Sequence, residues 1–107
     1  MLDTYKFKLD FSNIEDFWDI HRILKESLEF PDYYGGNLDA LFDCLTDMLG
    51  DISIIEMHGL EELKKYDGYD QRLLKVFSDT KHAFDDAFSD RFFVTVIHKD
   101  GTEEKIK

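Results

Sequence analysis

Ile52-Ser53-Ile54-Ile55-Glu56, midway along the 107-residue chain, reads as a short β-branched strand, mostly buried. Two further stretches match it on either side. Thr4-Tyr5-Lys6-Phe7-Lys8-Leu9 alternates polar and apolar residues, the pattern of a strand with one wet face. Phe92-Phe93-Val94-Thr95-Val96-Ile97 is the strongest strand signal of the three. What lies between them is helical. Ser12-Asn13-Ile14-Glu15 matches a capping box, in which Ser12 and Glu15 satisfy free amides at the start of a first helix. Ile14, Phe17, Trp18, His21, Leu24 and Leu28 then follow helical spacing on one face. Pro31 disfavours helix at Phe30 and Gly35-Gly36 frees the backbone, so residues 30–36 form a loop. Asn37 caps a second helix that runs to about Leu49. A short helix over Leu60 to Tyr66 and a longer one marked by Leu73, Phe77, Thr80, Phe84 and Phe88 lead to the last strand.

Strands separated by helical crossovers imply a parallel sheet with right-handed connections. The expected fold is therefore α/β, a three-stranded parallel sheet packed against about four helices. Residues 1–98 make one domain. Residues 99–107 form an extension that either turns at Asp100-Gly101 and pairs back as an edge strand or trails as a tail.

Composition narrows the function. The chain is 43% hydrophobic and 35% charged, as in an ordinary globular domain, and its ten Phe help a small protein bury enough area. No apolar run approaches the length of a membrane span, and the charged, alternating N-terminal stretch is no secretory signal. The single cysteine, Cys44, allows no internal disulfide, which with the absent signal fits a reducing cytoplasm. Net charge is −11, and its placement matters more than its size. Residues 26–63 hold ten acids and no Lys or Arg, while the rest of the chain has 14 acids against 13 bases. A block of one sign repels nucleic acid and draws basic partners. The bland alternative is a surface kept acidic for solubility.

Within that block the second helix breaks the rules of a stable helix. Leu38, Leu41, Phe42, Leu45, Met48 and Leu49 supply its apolar side. Asp39, Asp43 and Asp47 stack at i, i+4 and i+8, with Thr46 beside them and no cation at helical spacing to offset them. Asp43 and Asp47 also lie toward the negative end of the helix dipole. Local rules broken without local compensation point to a partner. The loop in front offers Tyr33 and Tyr34, stiff aromatic contact residues, at least one of which should pack the loop onto the core.

The run Pro31-Asp32-Tyr33-Tyr34-Gly35-Gly36-Asn37-Leu38-Asp39-Ala40-Leu41-Phe42-Asp43-Cys44-Leu45-Thr46 closely resembles the barstar family, intracellular inhibitors of the secreted ribonuclease barnase. Weaker resemblance continues through Leu74 to Phe77 and the final apolar strand. It implies a three-stranded parallel sheet packed against helices. It also implies roles for individual residues. Asp43 matches the acidic residue that enters the ribonuclease site where a substrate phosphate would lie, and Asp39 a second carboxylate that meets basic residues of the enzyme. Tyr33 matches an aromatic that packs on the catalytic region; Gly35, Asn37, Leu38 and Thr46 match smaller contacts. Asp79 stands where the family has a glutamate facing the enzyme. Phe42 and Met48 each replace a tryptophan, and Gly36 replaces an acidic residue.

The expected function is thus inhibition of an extracellular-type, barnase-like ribonuclease or ribonuclease toxin in a one-to-one complex with a monomeric inhibitor. The alternative is an immunity or binding protein for another basic partner, such as a toxin that is not a ribonuclease. An enzyme using Asp39 and Asp43 as an acid/base pair lacks an evident apolar pocket to raise a carboxylate pKa. His21, His58, His82 and His98 show no ligand spacing, so no metal or other cofactor is expected. Gly35-Gly36 before a helix is no phosphate cradle, given its acidic surroundings.

Overall fold

The structure, a computed structural model, describes residues 2–107; Met1, the first residue of the expected domain, lies outside the described residues. Strands β1 (Thr4–Asp10), β2 (Ile52–His58) and β3 (Phe92–Ile97) pair in parallel, in the order in which they occur in the chain. Strand β4 (Glu103–Lys105) pairs antiparallel with β3, Thr95 opposite Lys105 and Ile97 opposite Glu103. The extension therefore returns as an edge strand. Its turn is made by Gly101 at φ +88° and by the Asp100 carboxylate, which accepts hydrogen bonds from the Thr102 amide and hydroxyl.

Helices α1 (Trp18–Ser27), α2 (Leu38–Asp47) and α3 (Tyr69–Lys81) pack on one face of the sheet, joined by a 3-10 segment at Leu60–Lys65. Facing them, Leu9, Ile55, Met57, Phe92, Val94 and Val96 are buried with Phe11, Leu24, Leu41, Leu45, Leu73 and Phe77 in one core. The other face carries Lys6, Lys8, Glu56 and Phe93 and is open. Strand β2 is accordingly buried on one side only: Ser53 and Ile55 point inward, while Ile54 is half-buried on the open side.

Three local expectations are corrected. The first helix starts at Trp18 rather than at a Ser12 cap. Asp19 reaches back to accept from the amides of Glu15 and Asp16, and Asp10 takes the Ser12 amide, so residues 12–17 are fixed as a loop before the helix begins. Trp18 is not on the core face; it is 70% exposed, and Ile20 fills the inward position. The third helix stops at Lys81, so Phe84 and Phe88 do not continue its face. Phe84, Asp85 and Asp86 all adopt left-handed backbone angles, and Phe84 stands 62% exposed with its ring edge-on to Phe88. The second helix matches its reading more closely. It is α-helical to Asp47 and tightens into a 3-10 turn over Met48–Gly50.

Candidate functional site

The loop and the second helix are built as one unit. Asn37 is extended, and its Oδ1 accepts from the Ala40 amide at 2.8 Å, so α2 starts where the sequence places it. Gly36 sits at φ +68°, a backbone state that favours glycine. Gly35 lies close to the first turn of α2: a Cβ there would stand 3.3 Å from the Ala40 Cβ.

The two tyrosines divide their work. Tyr33 is 81% exposed at the loop tip, while Tyr34 turns inward against Phe30. The Tyr34 hydroxyl lies 2.7 Å from Nδ1 of buried His21, and the Tyr69 hydroxyl lies 2.7 Å from its Nε2. Burial lowers the His21 pKa, so the ring is neutral, with one nitrogen donating and the other accepting. Burial also pushes the Tyr34 and Tyr69 phenols up. This chain of three side chains ties the loop to α1 and α3.

Asp39 and Asp43 open onto a groove of about 620 Å³ between α2 and α3, and Asp79 joins them from α3. Leu38, Phe42 and Val76 form its apolar walls, and His82 closes one end. Among the described residues, no cation lies within ion-pairing distance of Asp39, Asp43 or Asp47. Asp79 differs, because Lys75 one turn earlier holds it at 2.9 Å. That pair is exposed and weak, so Lys75 can yield Asp79 to a stronger cation. The Thr46 hydroxyl donates to the Asp43 carbonyl and retains its accepting capacity. Thr46 and Asp47 are not among the groove's walls. Cys44, half-buried, has its thiol pKa raised by burial first and then by Asp47 and Asp43, so the thiol stays protonated.

The structure thus brings Leu38, Asp39, Phe42, Asp43 and Asp79 together, with Tyr33, Gly35 and Asn37 in the loop that leads into α2. Val76 and His82 were missed by sequence reasoning, although Val76 and Asp79 lie three apart on α3 and His82, which caps its end, follows three further on. The groove presents carboxylates on an apolar floor, open to solvent. Such a surface accepts charge-assisted hydrogen bonds from Arg, Lys or protonated His of a protein that fits it. No helix among the described residues is long and apolar enough to cross a membrane.

A small α/β domain with Asp39 and Asp43 unpaired in one groove has a surface complementary to a basic protein. The family is shown by comparison: the model described as "Barstar (barnase inhibitor)" matches residues 4–96, and the chain belongs to the barstar family. It is also similar to "Putative ribonuclease inhibitor YrdF" of Bacillus subtilis (strain 168), with 39% identity over 80 residues, 74% of this chain and 85% of that protein. The family consists of inhibitors, not enzymes.

Proposed function

We propose that this protein inhibits a barnase-like ribonuclease in the cytoplasm, as a monomer, by laying α2 and the loop before it into the enzyme's basic active site one-to-one. The observation that carries this reading is the grouping of unpaired Asp39 and Asp43 with Asp79 in one groove, beside exposed Tyr33. A ribonuclease must hold a phosphodiester with Arg, Lys and His. Asp43, midway along α2, takes the place of the phosphate; Asp39 meets cations at the rim; Asp79 exchanges Lys75 for a cation of the enzyme. Tyr33 packs flat on the catalytic region, with its loop already fixed through Tyr34 and His21, so little freedom is lost on binding. Phe42 and Leu38 exclude water around the charges, which strengthens them. The wider acidic block speeds encounter at low salt.

The test is titration of barnase activity with the purified protein. Activity should fall to zero at one equivalent, Asp43→Ala should weaken inhibition by at least tenfold, and association should slow as salt is raised. Failure to inhibit barnase and related extracellular ribonucleases, with capture from native cells of a basic protein lacking nuclease activity, would establish the other kind of partner.

A further inference from the structure

The acidic groove ends at His82, and His82 is also a wall of a second crevice of about 790 Å³. This crevice lies along β3, between the loop after α3 and the segment that follows β4. Phe93, Ile54 and Ile106 line it, and Lys81, Lys105 and Lys107 stand around it. Its walls are fixed from both sides. The Ile106 amide donates to the Val94 carbonyl at 2.9 Å, and the Ser78 hydroxyl donates to the Lys107 carbonyl at 2.9 Å, one residue before Asp79. On the other side His82 Nδ1 lies 2.6 Å from the Asp86 carboxylate, and the Lys81 ammonium donates to the carbonyls of Ser89 and Phe92. The loop so held contains the left-handed run Phe84–Asp86, a backbone that non-glycine residues keep only where the surroundings impose it.

The charge here is opposite to that of the groove. In a protein of net charge −11, Lys105 and Lys107 are exposed and, among the described residues, not ion-paired. The one acidic side chain in the wall, Asp86, is engaged by His82. We propose that this crevice is a second contact subsite for the same ribonuclease, taking an apolar side chain flanked by a carboxylate from the enzyme's surface beside its cleft. The assignment rests on the ribonuclease reading above and deepens it. A basic enzyme seated on the groove brings its rim to His82, because groove and crevice share that wall. Lysines there penalise an enzyme whose rim is basic and favour one with an acid at that point. They thereby sort ribonucleases whose phosphate sites are alike. The exposed Phe93 supplies the apolar floor.

Calorimetry with barnase tests this, comparing the unaltered protein, the double variant Lys105→Glu/Lys107→Glu, Phe93→Ser and Asp43→Ala, each checked for an unchanged melt by circular dichroism. The lysine reversal and Phe93→Ser should each raise the dissociation constant at least tenfold, and the loss on reversal should shrink as salt is raised. If both bind as tightly as the unaltered protein, or more tightly, while Asp43→Ala binds weakly, the subsite is refuted and the ribonuclease reading stands. If the unaltered protein binds neither barnase nor related extracellular ribonucleases, the ribonuclease reading falls and the subsite with it; if Asp43→Ala binds normally, the docking through the groove falls and the subsite with it. The lysines are exposed, so the double variant remains decisive even if Phe93→Ser unfolds.

Discussion

Replacing Tyr34 with Phe removes one hydroxyl and almost no volume, so the effect isolates the hydrogen bond to His21. In the native protein both His21 nitrogens are engaged, at 2.7 Å each, by Tyr34 and Tyr69. The substitution leaves Nδ1 in the core with no partner. A buried polar atom so stranded costs about 1–3 kcal/mol. In a domain of this size each kcal/mol lowers the melting temperature by roughly 4–8 °C. Thermal and urea denaturation at pH 7.5 should show that loss, whereas Tyr33→Phe, at an exposed hydroxyl, should stay within about 0.5 kcal/mol. Tyr34→Phe should also weaken inhibition, because Tyr33 and the Asn37 cap hang from the same loop. A stability within about 0.5 kcal/mol of the unaltered protein would refute the account, since it would mean the imidazole finds another partner or was never held.

The same histidine sets an acid limit. Its folded pKa lies below the ordinary 6.5, so the unfolded chain takes up a proton first as pH falls. Its contribution to stability is therefore complete above pH 6.5 and shrinks as pH drops toward the folded pKa. His82 works with the opposite sign. The Asp86 carboxylate, and then the Lys107 backbone, raise its pKa, so its share is present below 6.5 and lost as pH rises. A pH series of urea melts on His82→Ala separates the two. Asn37→Ala should cost about 1 kcal/mol in the same melts through loss of the cap on α2, and should weaken inhibition. Gly36→Ala should cost about 1–2 kcal/mol, from its left-handed backbone alone. Gly59→Ala should cost more, because a Cβ there would stand 2.4 Å from the Ser12 backbone nitrogen.

The parts of the fold that the sequence revealed are those governed by short-range chemistry. Phe92 to Ile97 has few conformations open to it other than a strand, and Asn37 can cap only the helix that follows it. Asp100-Gly101 forms the turn its residue types favour. The misreadings came from rules applied without their competitors. The Ser12 cap lost to Asp19, whose carboxylate reaches back to the amides of Glu15 and Asp16. Phe84 and Phe88 kept helical spacing, but spacing carries no information about left-handed backbone. In the site, the stripe of Asp39 and Asp43 was legible from spacing, since one helix carries both. Asp79 was not, because its place beside them depends on how α2 packs on α3; the family resemblance, not the pattern, pointed to it. Likewise nothing in Tyr33-Tyr34 says which ring turns inward; buried His21, thirteen residues away from Tyr34, decides it.

The strands of the sheet lie side by side in the order in which they are synthesised. Each parallel pairing nevertheless spans tens of residues, Thr4 meeting Ile52 and Ser53 meeting Phe92, so each must close a long loop before it gains a contact. Phe92, Val94 and Val96 are core residues near the end of the chain, and α3 packs on them through Phe77. Asp79 lies on α3, so it joins Asp39 and Asp43 only when α3 has been made and has packed on α2. A nascent chain bearing α2 already displays Asp39 and Asp43 but has no finished groove. On the function proposed above, the full binding surface therefore exists only once α3 has docked on α2, a step that follows the making of α2 itself.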